Sequence, residues 1–291
     1  MIFYSVPQHY CWGIFYKNKT KNSRYNLIPV HFGFCILLLR FMDKKRIIFL
    51  GSKPIGYNCL QFLIASQEKL NVEIVGILTQ QRKEFGGETD LAALAQENNI
   101  PVLSSLADMP ECDILYSVQY HEILKAEHIA KAKQIAVNLH MAPLPEYRGS
   151  NQFSFAIIDG KEEFGTTIHQ MDTRIDHGDI LFQKRFPIPR NCWAFQLYEL
   201  TYEASLKLFC QTLGHIVSGN FRPVAQADLV ASKGSSLHYR HEIVDLKRID
   251  LSWDEEKIKL HIRATTMPGF EPPYCEVNKR KIYFSTNYSN E

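Results

Sequence analysis

Short apolar runs alternate with amphipathic stretches from residue 46 to residue 217, and this alternation defines the architecture. Residues 46–50, 72–79, 113–118 and 134–139 are largely apolar on both of their alternating faces, as strands covered on two sides are. Between them, 51–56 reads as a turn into a helix over 57–66. Residues 89–98 present an Ala/Leu helical face, and 121–130 read as a third helix. Strands alternating with helices of about ten residues specify βαβ units and a mostly parallel sheet flanked by helices, an α/β fold. Residues 166–172 read as a further strand, and 193–217 as a long amphipathic helix closing the main domain. Ligands of such sheets bind outside the carboxyl ends of the strands. The turn after Leu50 and the end of the strand at 134–139 both fall there.

The pattern changes after Pro223. Residues 226–240 are polar and lack apolar periodicity. Ser252 followed by Glu255 forms a capping box opening a helix over 253–265. Residues 267–274 form a loop rich in Pro and Gly, and 275–277 with 281–284 read as a hairpin around Asn278-Lys279. The expected organisation is thus a main domain over 42–225 and a small α+β C-terminal appendage over 226–291. Residues 1–41 stand apart as an N-terminal extension outside the fold. They carry five basic residues and no acidic one, and their apolar stretch at 27–41 is shorter than the roughly 20 residues a bilayer span requires. A chain starting at Met42 is therefore expected to fold and turn over like the full chain, measured by thermal melting and steady-state rates. Marked loss of either would show that the segment packs on the core.

Composition narrows the partners. Removing the five N-terminal cations leaves 28 basic against 31 acidic side chains, a net −3, whereas polynucleotide-binding surfaces carry a basic excess. Neither nucleic acid nor a membrane is expected as a partner, and a homodimer is left open. Seven cysteines without a C-x-x-C pair point to reduced thiols, a cytoplasmic protein and no metal site.

Candidate chemistry concentrates in two stretches, Asn138-Leu139-His140 and Asp176-His177-Gly178-Asp179. At a strand end, positions i and i+2 project to one face, which puts Asn138 beside His140. An amide donor, an imidazole and a carboxylate suit acyl transfer. Asn138 can donate to a developing oxyanion, His140 can move a proton, and Asp176 can orient the ring. His169 alternates along its strand and reads as structural, and His177 as exposed. Gly51–Gly56 lacks G-x-G-x-x-G. Its Lys53, at a helix N-terminus, could instead meet a substrate phosphate. Arg148 could serve sugar or pyrophosphate oxygens. Phe270 and Tyr274 could stack a pyrimidine base, with Glu271 accepting from its ring N–H. Residues 83–89 read as a loop at the same edge.

The block from Val137 to Leu181, with Asn-x-His, Leu144-Pro145-Glu146-Tyr147-Arg148-Gly149 and Asp-x-Gly-Asp, resembles the signature of the folate-dependent formyltransferases. The 38 residues from Asn138 to Asp176 match that family's spacing. The resemblance covers roughly residues 44–225. It implies a Rossmann-like sheet, Asn138, His140 and Asp176 as the catalytic trio, and 10-formyltetrahydrofolate as the formyl donor. It also implies a folate pocket beginning at Tyr120 and including Ile123, Leu124 and Asp179, although Asp179 reads equally as a turn residue. The stretch 147–154, with Asn151, and the loop 263–274 resemble the nucleotide-sugar N-formyltransferases most. The implied acceptor is the amine of a dTDP-3- or 4-amino-dideoxyhexose, for surface polysaccharide biosynthesis. The 66 residues after 225 are a thin supply for the C-terminal barrel of the methionyl-tRNA enzymes. Methionyl-tRNA formyltransferase and formyltetrahydrofolate hydrolase are the alternative activities.

Overall fold

The computed structural model describes residues 43–80 and 89–284. The extension at 1–41 and most of the expected loop at 83–89 lie outside them.

The sheet is built as the apolar runs require. Strands β1 (Lys45–Gly51), β2 (Val72–Thr79), β3 (Cys112–Val118) and β4 (Ala132–His140) are joined by β6 (Glu163–Gln170) and β7 (Ile180–Pro187) in the order β2-β1-β3-β4-β6-β7. The first four run parallel, and β6 and β7 are antiparallel. This is a mostly parallel, Rossmann-like sheet with small C-terminal strands.

Helix α1 (Lys53–Leu70) starts with Pro54 in its first turn, where a missing N–H costs nothing, and stops at Asn71 in the left-handed conformation. It takes in residues 53–56 of the stretch expected to form a turn at 51–56, while Gly51 ends β1 and Ser52 precedes the helix. Gly56 is a packed helical residue, whose added Cβ would stand 3.3 Å from the Gly51 backbone. The α1 face carrying Ile55, Cys59, Leu60 and Leu63 packs against α5 (Ala194–Ser218), where Phe209, Leu213 and Ile216 are buried. Each such side chain contributes about 1.5–3 kcal/mol of apolar burial. A second core, with Leu50, Leu115 and Leu124, covers the other face.

Two expectations on local structure are corrected. Helix α2 (Leu91–Glu97) forms within the expected span, capped by Asp90, but the helix expected over 121–130 is only the single turn α3 (Ala126–Ile129). Leu124 is drawn into the second core while Ile123 is 70% exposed, and this local arrangement replaces a continuous helical face. The last long helix, α8 (Glu255–Thr265), is capped by Asp254, whose Oδ1 accepts the Lys257 N–H at 2.9 Å, and not by Ser252. Ser252 instead donates its own N–H to Asp250. The stretch 226–240 is also structured. It holds α6 (Gln226–Lys233) and β8 (Ser236–His238), which pairs in parallel with β5 (Tyr147–Gly149) just downstream of β4. Two further helices, α4 (Gln152–Ile158) and α7 (Ile243–Lys247), and the hairpin β9 (Tyr274–Val277) to β10 (Arg280–Tyr283) complete the described chain. Asn278 and Lys279 form the hairpin turn with positive φ of 50° and 63°. Among the described residues, no helix is long and apolar enough to cross a membrane.

Candidate active site

The carboxyl ends of β1, β3 and β4 share one edge of the sheet, and the Ser52 N–H bonds the Val118 carbonyl there at 3.3 Å. At that edge the strand direction reverses between β4 and β6, so Asn138 stands opposite His169 and His140 opposite Thr167. Val137 and Leu139 point into the core, which leaves Asn138 and His140 together on the other face of β4.

His140 is 4% exposed, and its Nε2 lies 2.7 Å from the Tyr147 carbonyl oxygen. A carbonyl only accepts, so Nε2 carries a hydrogen and Nδ1 is the nitrogen turned to Asp176 Oδ2, 3.5 Å away. Asp176 sits in the loop from β6 to β7 with φ of 46°, an uncommon value for a residue other than glycine. Its Oδ2 accepts the Gly149 N–H at 2.9 Å. Its Oδ1 lies 3.4 Å from both Asn138 Nδ2 and His169 Nε2. Burial pushes the Asp176 carboxyl up, but His140, His169 and the Gly149 N–H outweigh it and hold the group well below the usual carboxylate range.

His169 is therefore more than the strand-filling residue expected. Its Nδ1 is 2.7 Å from the Gln170 carbonyl oxygen, and its Nε2 meets Asn138 Nδ2 at 3.2 Å as well as Asp176. Two imidazoles flank one carboxylate. His177 pairs outside the site with Asp172 at 2.9 Å.

Asn138, His140 and Asp176 line a cleft of about 570 Å³ together with Lys53, Tyr120, Asn151 and Phe270. This volume falls in the range of small-molecule sites. Lys53 Nζ donates to Gln119 at 2.9 Å, and Asn151 Nδ2 to the Tyr239 carbonyl at 2.9 Å. The other expected residues stand outside the cleft lining. Arg148 Nε donates to the Ser236 carbonyl at 3.3 Å, because the β5–β8 pairing draws it aside. Asp179 stands directly before β7, and its carbonyl accepts the Gln170 N–H. Leu124 is core, and Ile123 is exposed away from the lining. Tyr274 is 4% exposed, packed on Tyr283 with the Lys281 ammonium over its ring, and Glu271 is held by Lys281 and the Tyr283 hydroxyl. Of the three candidates in loop 270–274, Phe270 lines the cleft and Glu271 and Tyr274 do not.

Sequence reasoning missed His169, Arg240 and Lys247. The last two line the cleft from the polar segment without apolar periodicity and from its neighbour α7. Burial lowers the affinity of the Lys247 ammonium for its proton, partly offset by Glu271. No local pattern marks these residues, because long-range pairing brings them to the site.

The Formyl transferase family model matches residues 45–213. A GDP-perosamine N-formyltransferase of Brucella melitensis biotype 1 is 26% identical over 233 residues, covering 77% of this chain and 87% of the relative. A methionyl-tRNA formyltransferase of Clostridium novyi is 29% identical, covering 82% of this chain and 80% of that protein. The crystal structure of WlaRD, a sugar 3N-formyl transferase in the presence of dTDP and 5-N-formyl-THF, superposes with a TM-score of 0.68 at 25% identity. It covers 83% of this chain and 85% of WlaRD.

Proposed function

Since the chain belongs to the formyl transferase family and is an N-formyltransferase, we propose that it transfers a formyl group from 10-formyltetrahydrofolate to the amine of a nucleotide-linked amino sugar. The observation that carries this reading is the convergence of Asn138, His140 and Asp176 on one cleft. Tyr120 and Phe270 both line this cleft, and each offers an aromatic face, the first for a folate ring and the second for a nucleobase. The relatives named above that act on sugars support the nucleotide-sugar acceptor over other amines.

Asn138 donates an amide hydrogen to the oxyanion that develops when a neutral amine adds to the formyl carbon. A preorganised donor of this kind acts where charge appears in the transition state. His140 takes up the amine proton on Nδ1 and passes it toward the departing nitrogen, while Nε2 stays committed to the Tyr147 carbonyl. Asp176 keeps the ring oriented and stabilises its charged form. An amine that arrives protonated must first lose that proton, so turnover falls on the acid side.

We favour a dTDP-linked 3- or 4-amino-dideoxyhexose, since Phe270 offers one aromatic face for a small base. The GDP-linked acceptor of the Brucella relative is the competing outcome. The test incubates purified protein with formyl donor and a panel of amino-sugar nucleotides, read by the mass shift of one formyl group. Formylation of methionyl-tRNA alone would overturn the reading, and formate release without any amine would mark a hydrolase. The tRNA reading is disfavoured by the net −3 of residues 43–291.

Phe270→Ala is expected to raise the KM for the nucleotide sugar by about tenfold, the scale of a lost stacking contact, with a smaller change in kcat. Rate against substrate concentration measures this, and an unchanged KM would remove Phe270 from the base site.

A further inference from the structure

We propose that Gln226 is the positioning residue of Asp176, acting from the C-terminal segment through the backbone of the catalytic loop. The proposal rests on the reading that Asp176 serves catalysis. Gln226 opens α6 and is 4% exposed. Its Nε2 lies 2.9 Å from the Asp176 carbonyl oxygen and 2.8 Å from that of Gly178, so both amide hydrogens are committed to the loop. Only a primary amide or a cation supplies two donors at that point.

The loop needs such a brace. Asp176 holds a left-handed φ, and Gly178 is pressed so closely on β6 that an added Cβ would stand 2.1 Å from the Gln170 oxygen. Just before Gln226, Val224 and Ile180 exchange hydrogen bonds at 2.9 Å in both directions. The chain thus enters α6 already registered on β7, which fixes where the glutamine side chain falls. The loop backbone is caught between β6 on one side and Gln226 on the other. That fixes the Asp176 side chain against Gly149, Asn138 and the two imidazoles.

The remaining atom of the amide shows what the position is for. Gln226 Oε1 is buried and has no hydrogen-bond partner. Turning the amide over to satisfy that oxygen would set it against two carbonyls. A buried orphan acceptor is rare and unfavourable. It is tolerated here because the two donors on the other side hold a loop that would otherwise leave buried carbonyls unmet.

Gln226→Met keeps the volume and removes both donors, and Gln226→Glu keeps the shape and faces the carbonyls with oxygen. Each is expected to lower kcat by about ten- to a hundredfold, the scale of a displaced catalytic group, with the KM of both substrates within about twofold. In an Asp176→Ala background, Gln226→Met should cost nothing further, because its only route to the reaction is already gone. Equal fold-losses in both backgrounds, or a rise in KM with kcat unchanged, would overturn the proposal. Amide hydrogen exchange over residues 172–179, measured without substrate, should quicken in Gln226→Met, and unchanged exchange would also overturn it. If Asp176→Ala itself kept normal turnover, the catalytic reading would fail, and the exchange measurement would still decide whether Gln226 holds the loop.

Discussion

Replacing Asp176 by Ala is expected to lower turnover by at least about a hundredfold, the scale of a lost proton-transfer or oxyanion-orienting group, while the chain stays folded. The side chain meets four groups, His140, His169, Asn138 and the Gly149 N–H, and each serves the site more than the core. Asn138→Ala and His140→Ala should fall in the same range, since in the proposed mechanism amide, imidazole and carboxylate act as a unit whose losses do not add. Near-normal turnover of His140→Ala would refute the assignment. The pH dependence follows from the lowered carboxyl. A group whose folded value is depressed contributes stability that is fully present above its unfolded value and is lost progressively as pH falls from there through the folded one. Asp176 therefore stays ionised throughout the ordinary carboxylate range. An acid limb of the activity profile should survive in Asp176→Asn variants that retain measurable rate.

Gly178→Ala should be nearly as damaging by a different route. Its new Cβ would collide with backbone atoms of Gln170, at 2.1 Å from the oxygen and 2.7 Å from the carbon, and backbone cannot swing aside as a side chain can. The loop must move outward, carrying Asp176 away from His140. A displacement near 1 Å is enough for a loss on the order of a hundredfold in kcat, together with about 2 kcal/mol or more of stability. Thermal melting and steady-state kinetics on one preparation measure both. Wild-type kinetics in Gly178→Ala would mean that the loop reaches its catalytic position by another path.

How much of this was legible in the chain depends on what stabilises each part. Strand β2 is readable to the residue over 72–79, and α5 to within one residue at each end, because each carries its own period and burial. Asn138 and His140 share a face through simple strand alternation. By contrast, 226–240 shows no period because β8 is held by pairing with β5 and α6 is short, with Gln226 its only buried residue. His169 enters the site through its register opposite Asn138, and a register between strands 31 residues apart is not written in either strand alone. Tyr274 and Glu271 looked available from their place in a loop rich in Pro and Gly. The Lys281 and Tyr283 side chains of the neighbouring strand occupy both.

The pairing of β5 with β8 also bears on the order in which the protein becomes active as it is made. Synthesis delivers Asn138, His140 and Asp176 well before Ser236–His238. The Ser150 N–H then waits for the His238 carbonyl, and the Glu146 carbonyl for Ser236. A nascent chain emerging as far as residue 225 holds the three proposed catalytic side chains and lacks the strand that pairs with Tyr147–Gly149. Contacts this distant along the sequence close late in folding. Catalytic competence should accordingly appear in one step as the C-terminal segment docks, well after the central sheet has formed.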